Sequence, residues 1–370
     1  MDILVTGGCG FIGSHLVDRL IEEGHKVKVL DCLEQQVHKD GKPSFLNPEA
    51  EYIFADIRDE EKTKESLEGI DVVFHQASQV GVGQSMYQIQ KYVSHNSEGT
   101  AVLLDAIINS RHKVKKLIVA SSMSIYGEGA YSCIDCGLVY PALRSHRQLQ
   151  ERKWEMLCPK CGKIVKAIPT SEEKTLHPTS IYATTKRSQE EMCLEVGLAY
   201  KLPTTALRYF NVYGPRQSLN NPYTGVAAIF LSRIKNDKPP LVFEDGKQSR
   251  DFINVADIVS ANLLAMKKEE ANYDFFNVGS GKSHSILDIA ETIADVCGKE
   301  LSPQVLNKFR AGDIRHCYAD IRKITEKLGF EPKVSFAKGM QELIEWSESQ
   351  QAEDLTGKAQ EELKTRGLAE

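Results

Sequence analysis

Apolar and polar positions near the N-terminus change their period twice within a short stretch. Residues 3–5 and 26–30 are apolar runs of strand length. Between them, up to about residue 23, apolar side chains recur at helical spacing until Gly24 ends the pattern. Strand, amphipathic helix and strand in this order predict a parallel βαβ unit.

The same alternation continues through the first half of the chain. Residues 72–78, 116–120 and 204–208 are further apolar runs of strand length, and a helical pattern covers residues 180–200. Apolar runs that alternate with helices predict an α/β fold with a doubly wound parallel sheet.

The turn after the first strand carries glycines at every third position. Gly7 permits a tight turn, Gly10 lets the backbone approach a pyrophosphate, and Gly13 lets the helix pack closely on the strand. The helix would then direct its free N–H groups at the phosphates. Asp31, at the end of the second strand, suits the adenosine ribose hydroxyls and repels a 2′-phosphate. We therefore expect NAD rather than NADP; the alternative is a glycine-rich turn without a cofactor.

Composition excludes several function classes. The 370 residues are 41% hydrophobic and 26% charged, with a net charge of −5, which is ordinary for a globular enzyme and unsuited to nucleic acid. No apolar run reaches transmembrane length, and the chain enters its first strand without a signal peptide. We expect a cytoplasmic protein without membrane contact. Nine cysteines in that compartment favour burial or metal binding over disulfides.

Four of the cysteines form two Cys-x-x-Cys pairs. Cys133 and Cys136 are followed by Gly137, and Cys158 and Cys161 come later in the chain. Two such pairs, each followed by glycine, are typical of a zinc ribbon with four thiolates and no open position. We predict structural zinc; redox-active or unmetallated cysteines are the alternatives.

Tyr182 and Lys186 lie one turn apart on the helix predicted over residues 180–200. An ammonium beside a phenol favours the phenolate and lowers the pKa of the tyrosine. Such a tyrosine can remove a proton from a sugar or alcohol hydroxyl. The pair alone is a weak signal, so the surrounding motifs decide its meaning.

Several motifs together resemble the short-chain dehydrogenase/reductase superfamily. The glycine spacing with Phe11 and Ile12, and the segments 121–127 and 208–216, resemble its extended branch, which modifies nucleotide sugars. The resemblance implies a Rossmann-type sheet with bound NAD and a smaller α/β substrate domain. The cofactor-binding residues that it implies are Gly7, Gly10, Phe11, Ile12, Gly13, Asp31, Asp56, Ile57, Gln76, Ala77, Ser78, Asn96, Tyr182, Lys186 and Phe210. Asn96 has a second interpretation, as a cap or turn residue.

The resemblance implies a catalytic Ser122, which would hold the reacting oxygen in line with Tyr182 and Lys186. Met123 and Ser124 follow it, where related dehydratases carry an Asp-Glu pair and decarboxylases a glutamate. Neither residue is an acid or base near neutrality, which argues against elimination and decarboxylation. Reversible oxidation at one sugar carbon remains, as in a 4-epimerase.

Later motifs resemble the family's substrate-binding segments. The resemblance implies that Asn211 contacts the sugar or diphosphate, Arg250 and Arg310 the phosphates, and Asp313 the nucleoside ribose, beside Ser122 and Tyr182. Any of these arginines could instead be an ordinary surface charge. The basic segment 144–154 has two interpretations, a solvated face or a diphosphate contact.

The motif order divides the chain into three parts. We expect a cofactor domain over residues 1–205 with the ribbon inserted at about 130–167, and a nucleotide-sugar domain over 206–348. Residues of about 240–275 are expected to return to the sheet side. The polar tail, 349–370, is expected to be helical or frayed and has no assigned function.

Together, these motifs predict an NAD-dependent nucleotide-sugar epimerase that acts at C4. We expect it to bind NAD and structural zinc and to form a homodimer. The helices beginning near Asn96 and Ser180 would make the dimer contact. The insert is most similar to a subset of dTDP-L-rhamnose 4-epimerase-like proteins, with UDP-glucose and UDP-glucuronate 4-epimerases as near alternatives. A CDP-sugar 2-epimerase, a 4-ketosugar reductase and a non-catalytic scaffold also stay open.

Overall fold

A computed structural model describes residues 1–39, 41–223 and 225–369. The strands are β1 Asp2–Thr6, β2 Lys26–Asp31, β3 Glu51–Phe54, β4 Val72–His75, β5 Lys116–Ser122, β6 Ala130–Cys133, β7 Gly137–Val139, β8 Lys166–Ile168, β9 Thr204–Tyr209, β10 Asn211–Tyr213, β11 Leu241–Val242, β12 Ser249–Arg250, β13 Phe252–Asn254, β14 Asp274–Val278, β15 His284–Ser285, β16 Gln304–Val305 and β17 His316–Cys317.

The helices are α1 Phe11–Glu22, α2 Glu60–Ser66, α3 Val82–Ser85, α4 Ile89–Tyr92, α5 Gly99–Ile108, α6 His146–Gln150, α7 Ile181–Tyr200, α8 Val226–Lys235, α9 Val255–Lys267, α10 Ile286–Val296, α11 Arg322–Leu328, α12 Phe336–Glu348 and α13 Thr356–Thr365. A π-helical turn covers Val93–Glu98, and 3₁₀ turns cover Met123–Tyr126 and Glu269–Ala271. Among the described residues, none of the helices is both long and apolar enough to cross a bilayer.

Seven parallel strands form the main sheet, in the order β14-β9-β5-β4-β1-β2-β3. Successive side chains of a strand point to opposite faces, so Ile3 and Val5 enter one core with α1 and α9, and Leu4 enters the other with α5. Helices cover both faces, which explains why the strands are nearly continuous apolar runs. The predicted doubly wound α/β fold is confirmed.

Two later elements join this sheet. β9 crosses the predicted domain limit at residue 205 and pairs along its length with β5. β14 pairs with β9 at the sheet edge, and α9 packs against α1. The return to the sheet therefore runs to Val278.

The second half also builds a smaller layer. α8, α10 and α12 surround a separate apolar core that includes Leu231, Ile289 and Leu343. The short strands β12, β15 and β17 form a sheet beside it. This layer stands opposite the carboxyl edge of the main sheet, so the two parts enclose a cleft lined from both.

The helix expected to open at Asn96 begins upstream. α4, the π-helical turn and α5 follow one another without a break from Ile89 to Ile108, so Asn96 lies inside a helical segment and is neither a cap nor a turn residue. Asn96 lies within the π turn and is fully buried.

Candidate active site

The glycine turn between β1 and α1 has no room for side chains. A Cβ on Gly13 would lie 2.2 Å from the carbonyl oxygen of Gly7, and Gly7 itself has a φ of +72°. A Cβ on Gly10 would meet only that same oxygen, at 3.3 Å, so the space on its other side is open. The first turn of α1 has no acidic residue that would compete with a phosphate. The turn therefore fits a dinucleotide pyrophosphate.

The strand ends beside this turn carry polar side chains. Asp31, the last residue of β2, accepts hydrogen bonds from the amides of Cys9 at 2.9 Å and Leu33 at 2.8 Å, which hold its carboxylate at the cavity wall. Asp56 is paired with Arg58 at 2.7 Å, and this contact lowers the pKa of Asp56. Both carboxylates are thus held as fixed acceptors at the carboxyl edge of the sheet.

A cavity of about 450 Å³ opens at this edge. It brings together most of the residues that the resemblance implied for the cofactor. Those that line it are Gly7, Gly10, Phe11, Ile12, Gly13, Asp31, Asp56, Ile57, Gln76, Ala77, Ser78, Tyr182, Lys186 and Phe210, and Ser122 and Asn211 line it beside them.

Asn96 does not line this cavity. Its side chain is fully buried and bonded to the backbone of Gln79, at 2.6 and 3.1 Å, and to the hydroxyl of Thr185 at 2.9 Å. Gln79 itself lies in the cavity wall. The contribution of Asn96 to the cavity is therefore indirect, through the backbone that it holds.

Ser122, Tyr182 and Lys186 converge because one strand ends where one helix begins. Ser122 is the last residue of β5, and Tyr182 and Lys186 lie in the first two turns of α7, which Ser180 caps by accepting from the amide of Ala183. Tyr182 and Ser122 line the same cavity, and the interaction with Ser122 opposes the rise in the pKa of the phenol. The three residues therefore form one group at the cavity wall.

Ser122 also accepts two hydrogen bonds from Ser124, from its amide at 3.2 Å and from its hydroxyl at 2.9 Å. A hydroxyl has one donor and two acceptor positions, so both acceptor positions of Ser122 are used. Its own proton is directed at the phenol or at a substrate oxygen.

The electrostatics of the pair differ from the expectation. Burial raises the pKa of Tyr182, and the hydrogen bond with Ser122 opposes that rise. Burial also lowers the pKa of Lys186 to about 8, and its ammonium donates to the carbonyl oxygen of Ala120. In the protein alone, Lys186 therefore does not bring the pKa of the phenol down, because its charge is directed at the end of β5.

His75 lies behind this group and is neutral. Its ring is bonded to Thr6 at 2.8 Å, Thr100 at 2.9 Å and Gln189 at 3.1 Å. Burial, together with the charge of Lys186, lowers the pKa of His75 to about 3. A histidine in this state links β4 to α5 and α7 and does not carry a proton near neutrality.

Four of the residues implied for the substrate, Asn211, Arg250, Arg310 and Asp313, line a second cavity of about 330 Å³, while Ser122 and Tyr182 line only the first; the two cavities share Asn211 and Met123. Arg250 donates three hydrogen bonds to the backbone carbonyls of Ser249, Ile314 and Arg315. A guanidinium has five N–H donors, so two stay available for an anion.

Arg310 and Asp313 line the same cavity and pair with each other, at 2.8 Å between Nε and Oδ2. Arg310 also lies over the ring of Phe243, 4.6 Å from its centroid. The Oδ1 of Asn211, where the two cavities meet, is buried without a hydrogen-bond partner among the described residues. Such an atom is expected to meet a ligand.

The four cysteines of the insert form one cluster. β6, β7 and β8 make a small antiparallel sheet, and the sulfurs of Cys133, Cys136, Cys158 and Cys161 all lie within 4.8 Å of one another. Four thiolates around one zinc stand roughly 3.8 Å apart for Zn–S bonds of about 2.3 Å. The donor set and its spacing fit a closed tetrahedral site.

Buried ion pairs connect the insert to residues beside the second cavity. The sequence did not indicate these pairs. Arg144, a candidate diphosphate contact, instead pairs with Glu244 at 2.7 and 2.9 Å and donates to the carbonyl oxygen of Asp313 at 3.2 Å. Arg315 is fully buried and joins Glu244 at 3.0 Å to Glu155 at 2.6 Å. The paired residues are 71 to 160 positions apart in the sequence, a separation that leaves no local sequence pattern.

The last described residues also reach the site. α13 and the residues after it line the second cavity through Thr356, Ala359, Gln360, Leu363, Leu368 and Ala369. The prediction of a tail without a role at the site missed these residues, since α13 is mainly polar and only Ala359 and Leu363 are buried.

The fold and the site together define an NAD(P)-type dinucleotide-binding enzyme of the short-chain dehydrogenase/reductase class, with a serine–tyrosine–lysine group in the wall of the first cavity, which adjoins the second at Met123, Ser124 and Asn211. Family models agree. Residues 3–142 match the NAD dependent epimerase/dehydratase family, and residues 162–343 match a model described as GDP-mannose 4,6 dehydratase. The chain belongs to the NAD-dependent epimerase/dehydratase family.

Relatives cover nearly the whole chain. A dTDP-L-rhamnose 4-epimerase of Burkholderia thailandensis is 36% identical over 93% of this chain and 94% of its own length. The structure of a Thermotoga maritima UDP-glucose 4-epimerase with UDP-glucose has a TM-score of 0.77 at 35% identity, covering 94% of this chain and 99% of that one. A Bacillus cereus UDP-glucuronic acid 4-epimerase, solved with UDP-glucuronic acid and NAD, has a TM-score of 0.77 at 29% identity and the same coverage. The predicted family is therefore confirmed, and these relatives are nucleotide-sugar 4-epimerases.

Proposed function

We propose that this protein is an NAD-dependent nucleotide-sugar 4-epimerase. The observation that carries the proposal is that Ser122, Tyr182 and Lys186 line a cavity that fits a dinucleotide, and that this cavity shares Met123, Ser124 and Asn211 with a second one lined by Arg250, Arg310 and Asp313. The 4-epimerases among its relatives support a dTDP-L-rhamnose-like or UDP-hexose substrate. Neither a CDP-sugar 2-epimerase nor a ketosugar reductase is favoured by them.

The cofactor residues are proposed on the fit of the site. Gly7, Gly10 and Gly13 form the pyrophosphate turn, Asp31 accepts from the adenosine ribose, and Asp56 and Ile57 flank the adenine. Lys186 holds the nicotinamide ribose, and Phe210 lies at the nicotinamide end of the cavity. When bound, NAD⁺ supplies the hydride acceptor for the sugar carbon and, through its nicotinamide, a positive charge close to the phenol.

Tyr182 is the proposed base. Its phenolate accepts the proton of the C4 hydroxyl, and Ser122 donates to the same oxygen and holds it in line. Tyr182 later returns the proton when the hydrogen comes back to the other face of the flat 4-keto sugar. The serine at position 124 completes the arrangement, because it occupies the acceptor positions of Ser122.

The substrate residues are proposed in the roles that the resemblance implied. The two remaining donors of Arg250 meet the diphosphate, as does Arg310, while Asp313 accepts from the nucleoside ribose. Asn211 would use its unpartnered Oδ1 on a sugar or ribose hydroxyl. For Arg310 and Asp313 this requires that the pair between them, at 2.8 Å, opens or is shared with the ligand.

Isotope labelling tests this mechanism. A nucleotide sugar carrying deuterium at C4 should give a C4 epimer that keeps the label in ordinary water, without added cofactor, because the same hydrogen leaves and returns. Exchange of the label with solvent, or a need for stoichiometric NADPH, would contradict the proposal and favour another chemistry.

The insert is proposed to bind one structural zinc through Cys133, Cys136, Cys158 and Cys161. The mutual spacing of the sulfurs supports a closed four-thiolate site, and Gly137 and Gly162, with φ of +69° and +73°, allow the tight knuckles. Metal analysis should find one zinc per chain in the wild type. Cys161→Ser should lose it, and Cys297→Ser, outside the cluster, should keep it.

The assembly and the compartment are also proposals. The helical segments that begin at Ile89 and Ile181 are proposed to form a four-helix contact in a homodimer. Light scattering should then give a particle of twice the chain mass of 41.3 kDa. A cytoplasmic location is proposed on the nine free cysteines, which suit a reducing compartment. The division into a cofactor domain, a substrate domain and an inserted ribbon stays a proposal as well.

A further inference from the structure

The segment from Asp354 to Ala369 has a polar sequence, but it packs against the rest of the protein. α13 buries Ala359 and Leu363 against the protein, and the residues after it continue along the substrate cavity. A terminal helix that did not pack on the domain would be exposed on all sides. This helix instead buries one face and lines a cavity with it.

The middle of the segment contacts the cofactor-binding half through Tyr87 and Gly83, and it also contacts Tyr223 of the substrate half. The carboxylate of Glu362 accepts hydrogen bonds from the hydroxyls of Tyr87, at 2.8 Å, and Tyr223, at 2.7 Å. Arg366 lies over the ring of Tyr87, 4.4 Å from its centroid. Leu363 packs so closely on Gly83 that a Cβ there would lie 3.3 Å from its methyl group.

The two ends of the segment contact the substrate half. The amide of Ala311 donates to the carbonyl oxygen of Leu368 at 3.0 Å, and Arg310 and Ala369 form an antiparallel bridge. At the start of the segment, the side chain of Asp354 pairs with Arg233 at 3.1 Å. The segment therefore contacts both halves of the molecule along one wall of the cavity.

The side-chain amide of Gln360 lies at the wall of the second cavity and has a hydrogen-bond donor without an acceptor among the described residues. Its Nε2 is shielded from solvent and has no hydrogen-bond partner among the described residues, although the residue lines the same cavity as Arg250, Arg310 and Asp313. Buried amide N–H groups in folded proteins are nearly always paired. A ligand oxygen in the cavity would supply the missing acceptor.

We propose that the C-terminal segment is a wall of the nucleotide-sugar site and that Gln360 donates a hydrogen bond to an oxygen of the bound nucleotide sugar. This inference rests on the proposed function, because it names one more contact to that same ligand. Arg250 and Arg310 already supply positive charge to this cavity. The neutral amide of Gln360 would add a directional hydrogen bond to the ligand without adding charge. Gln360 thereby contributes to substrate choice as well as to affinity.

Binding to the NAD-loaded enzyme tests the contact. The probes are UDP, dTDP and the nucleotide sugar that the wild type epimerises, titrated calorimetrically against wild type, Gln360→Ala and Gln360→Glu. Loss of one hydrogen bond to a neutral or charged partner should weaken at least one probe roughly 3- to 10-fold in Gln360→Ala. Gln360→Glu keeps the size of the side chain but places an acceptor near the phosphates, so its loss should be at least as large.

The neighbouring Glu361→Ala is the matched control, since Glu361 is exposed on the same helix and does not line the cavity. It should bind every probe like the wild type and keep kcat within about two-fold, and all variants should keep their NAD content. Unchanged affinity for all three probes in both Gln360 variants would overturn the inference while leaving the epimerase assignment intact. Failure of the wild type to bind any nucleotide would overturn the proposed function, and this contact with it.

Discussion

The position of Tyr182 depends on residues from two different elements. Ser180 caps the helix that carries it, and Ser122 meets its hydroxyl from the end of a buried strand. The raised pKa of the phenol, caused by burial, means that the protein alone keeps Tyr182 protonated. The positive charge that the cofactor brings is therefore needed to favour the phenolate.

Replacing the phenol tests this role. Tyr182→Phe should reduce kcat by about 10²- to 10⁴-fold, because the general base is lost, while nucleotide-sugar affinity changes little. Steady-state kinetics and binding titration separate the two effects. Tyr200→Phe, on the exposed end of the same helix, should behave as wild type; wild-type turnover in Tyr182→Phe would contradict the assignment.

His75 gives a pH-dependent stability with a defined sign. Its pKa is about 3 in the folded protein against 6.5 unfolded, so between these values the unfolded chain binds a proton that the folded chain does not. The free energy of unfolding should therefore fall as pH drops below 6.5, by about 1.4 kcal/mol per pH unit from this residue.

The measurement compares wild type with His75→Asn in urea at pH 6.5 and pH 5. The stability advantage of the wild type should shrink by about 2 kcal/mol over this interval, because asparagine does not titrate. A difference that stays constant with pH would show that His75 is not the group responsible.

At the scale of elements, the insert between β5 and α7 acts on the substrate cavity through Arg144. This side chain is almost fully buried, joins the insert to Glu244, and donates to the backbone of Asp313. The insert therefore supports the loop that carries Arg310 and Asp313, and it is not an independent decoration.

Arg144→Met should lower the free energy of unfolding by about 2–3 kcal/mol, because Glu244 loses a buried partner. The KM for the nucleotide sugar should rise more than kcat falls, since the loop of Asp313 loses a support. Arg147→Met, which removes an exposed pair with Glu151 in the same insert, should leave both quantities unchanged. Equal behaviour of the two variants would contradict the bracing role.

Short motifs made much of this arrangement predictable. The glycine turn, Ser122 and the Tyr182–Lys186 pair each carry a local spacing whose chemistry can be read without knowing the fold, and the structure brings these residues to one cavity. Asn96, implied as a cofactor residue with a cap or turn residue as the alternative, lies instead in a π turn behind the cavity, and a π turn leaves no mark in the apolar pattern.

Other parts of the site left no local signal. Arg144 and Glu244 are paired across 100 residues, so only the fold brings their charges together. α13 is mostly polar with two buried residues, Ala359 and Leu363, too few to distinguish a seated helix from a frayed tail. The lowered pKa of Lys186 likewise depends on burial, which spacing does not reveal.

At the scale of the whole molecule, the cleft lies between the main sheet and the smaller layer. Both parts are built from interleaved segments of the chain. β9 and β14 return the chain to the main sheet, and the C-terminal segment lines the second cavity. Substrate and cofactor therefore meet in a cleft whose walls come from both halves. Such a closed arrangement suits a cofactor that is retained through the reaction and not exchanged.

The central claim is that this cleft epimerises a nucleotide sugar at C4 without added cofactor. The direct measurement incubates the purified protein with a panel of dTDP-, UDP-, GDP- and CDP-sugars and follows each by NMR. We predict conversion of at least one dTDP- or UDP-sugar to an equilibrium mixture with its C4 epimer. The absence of an epimer from every member of the panel, or a change at a carbon other than C4, would contradict this account.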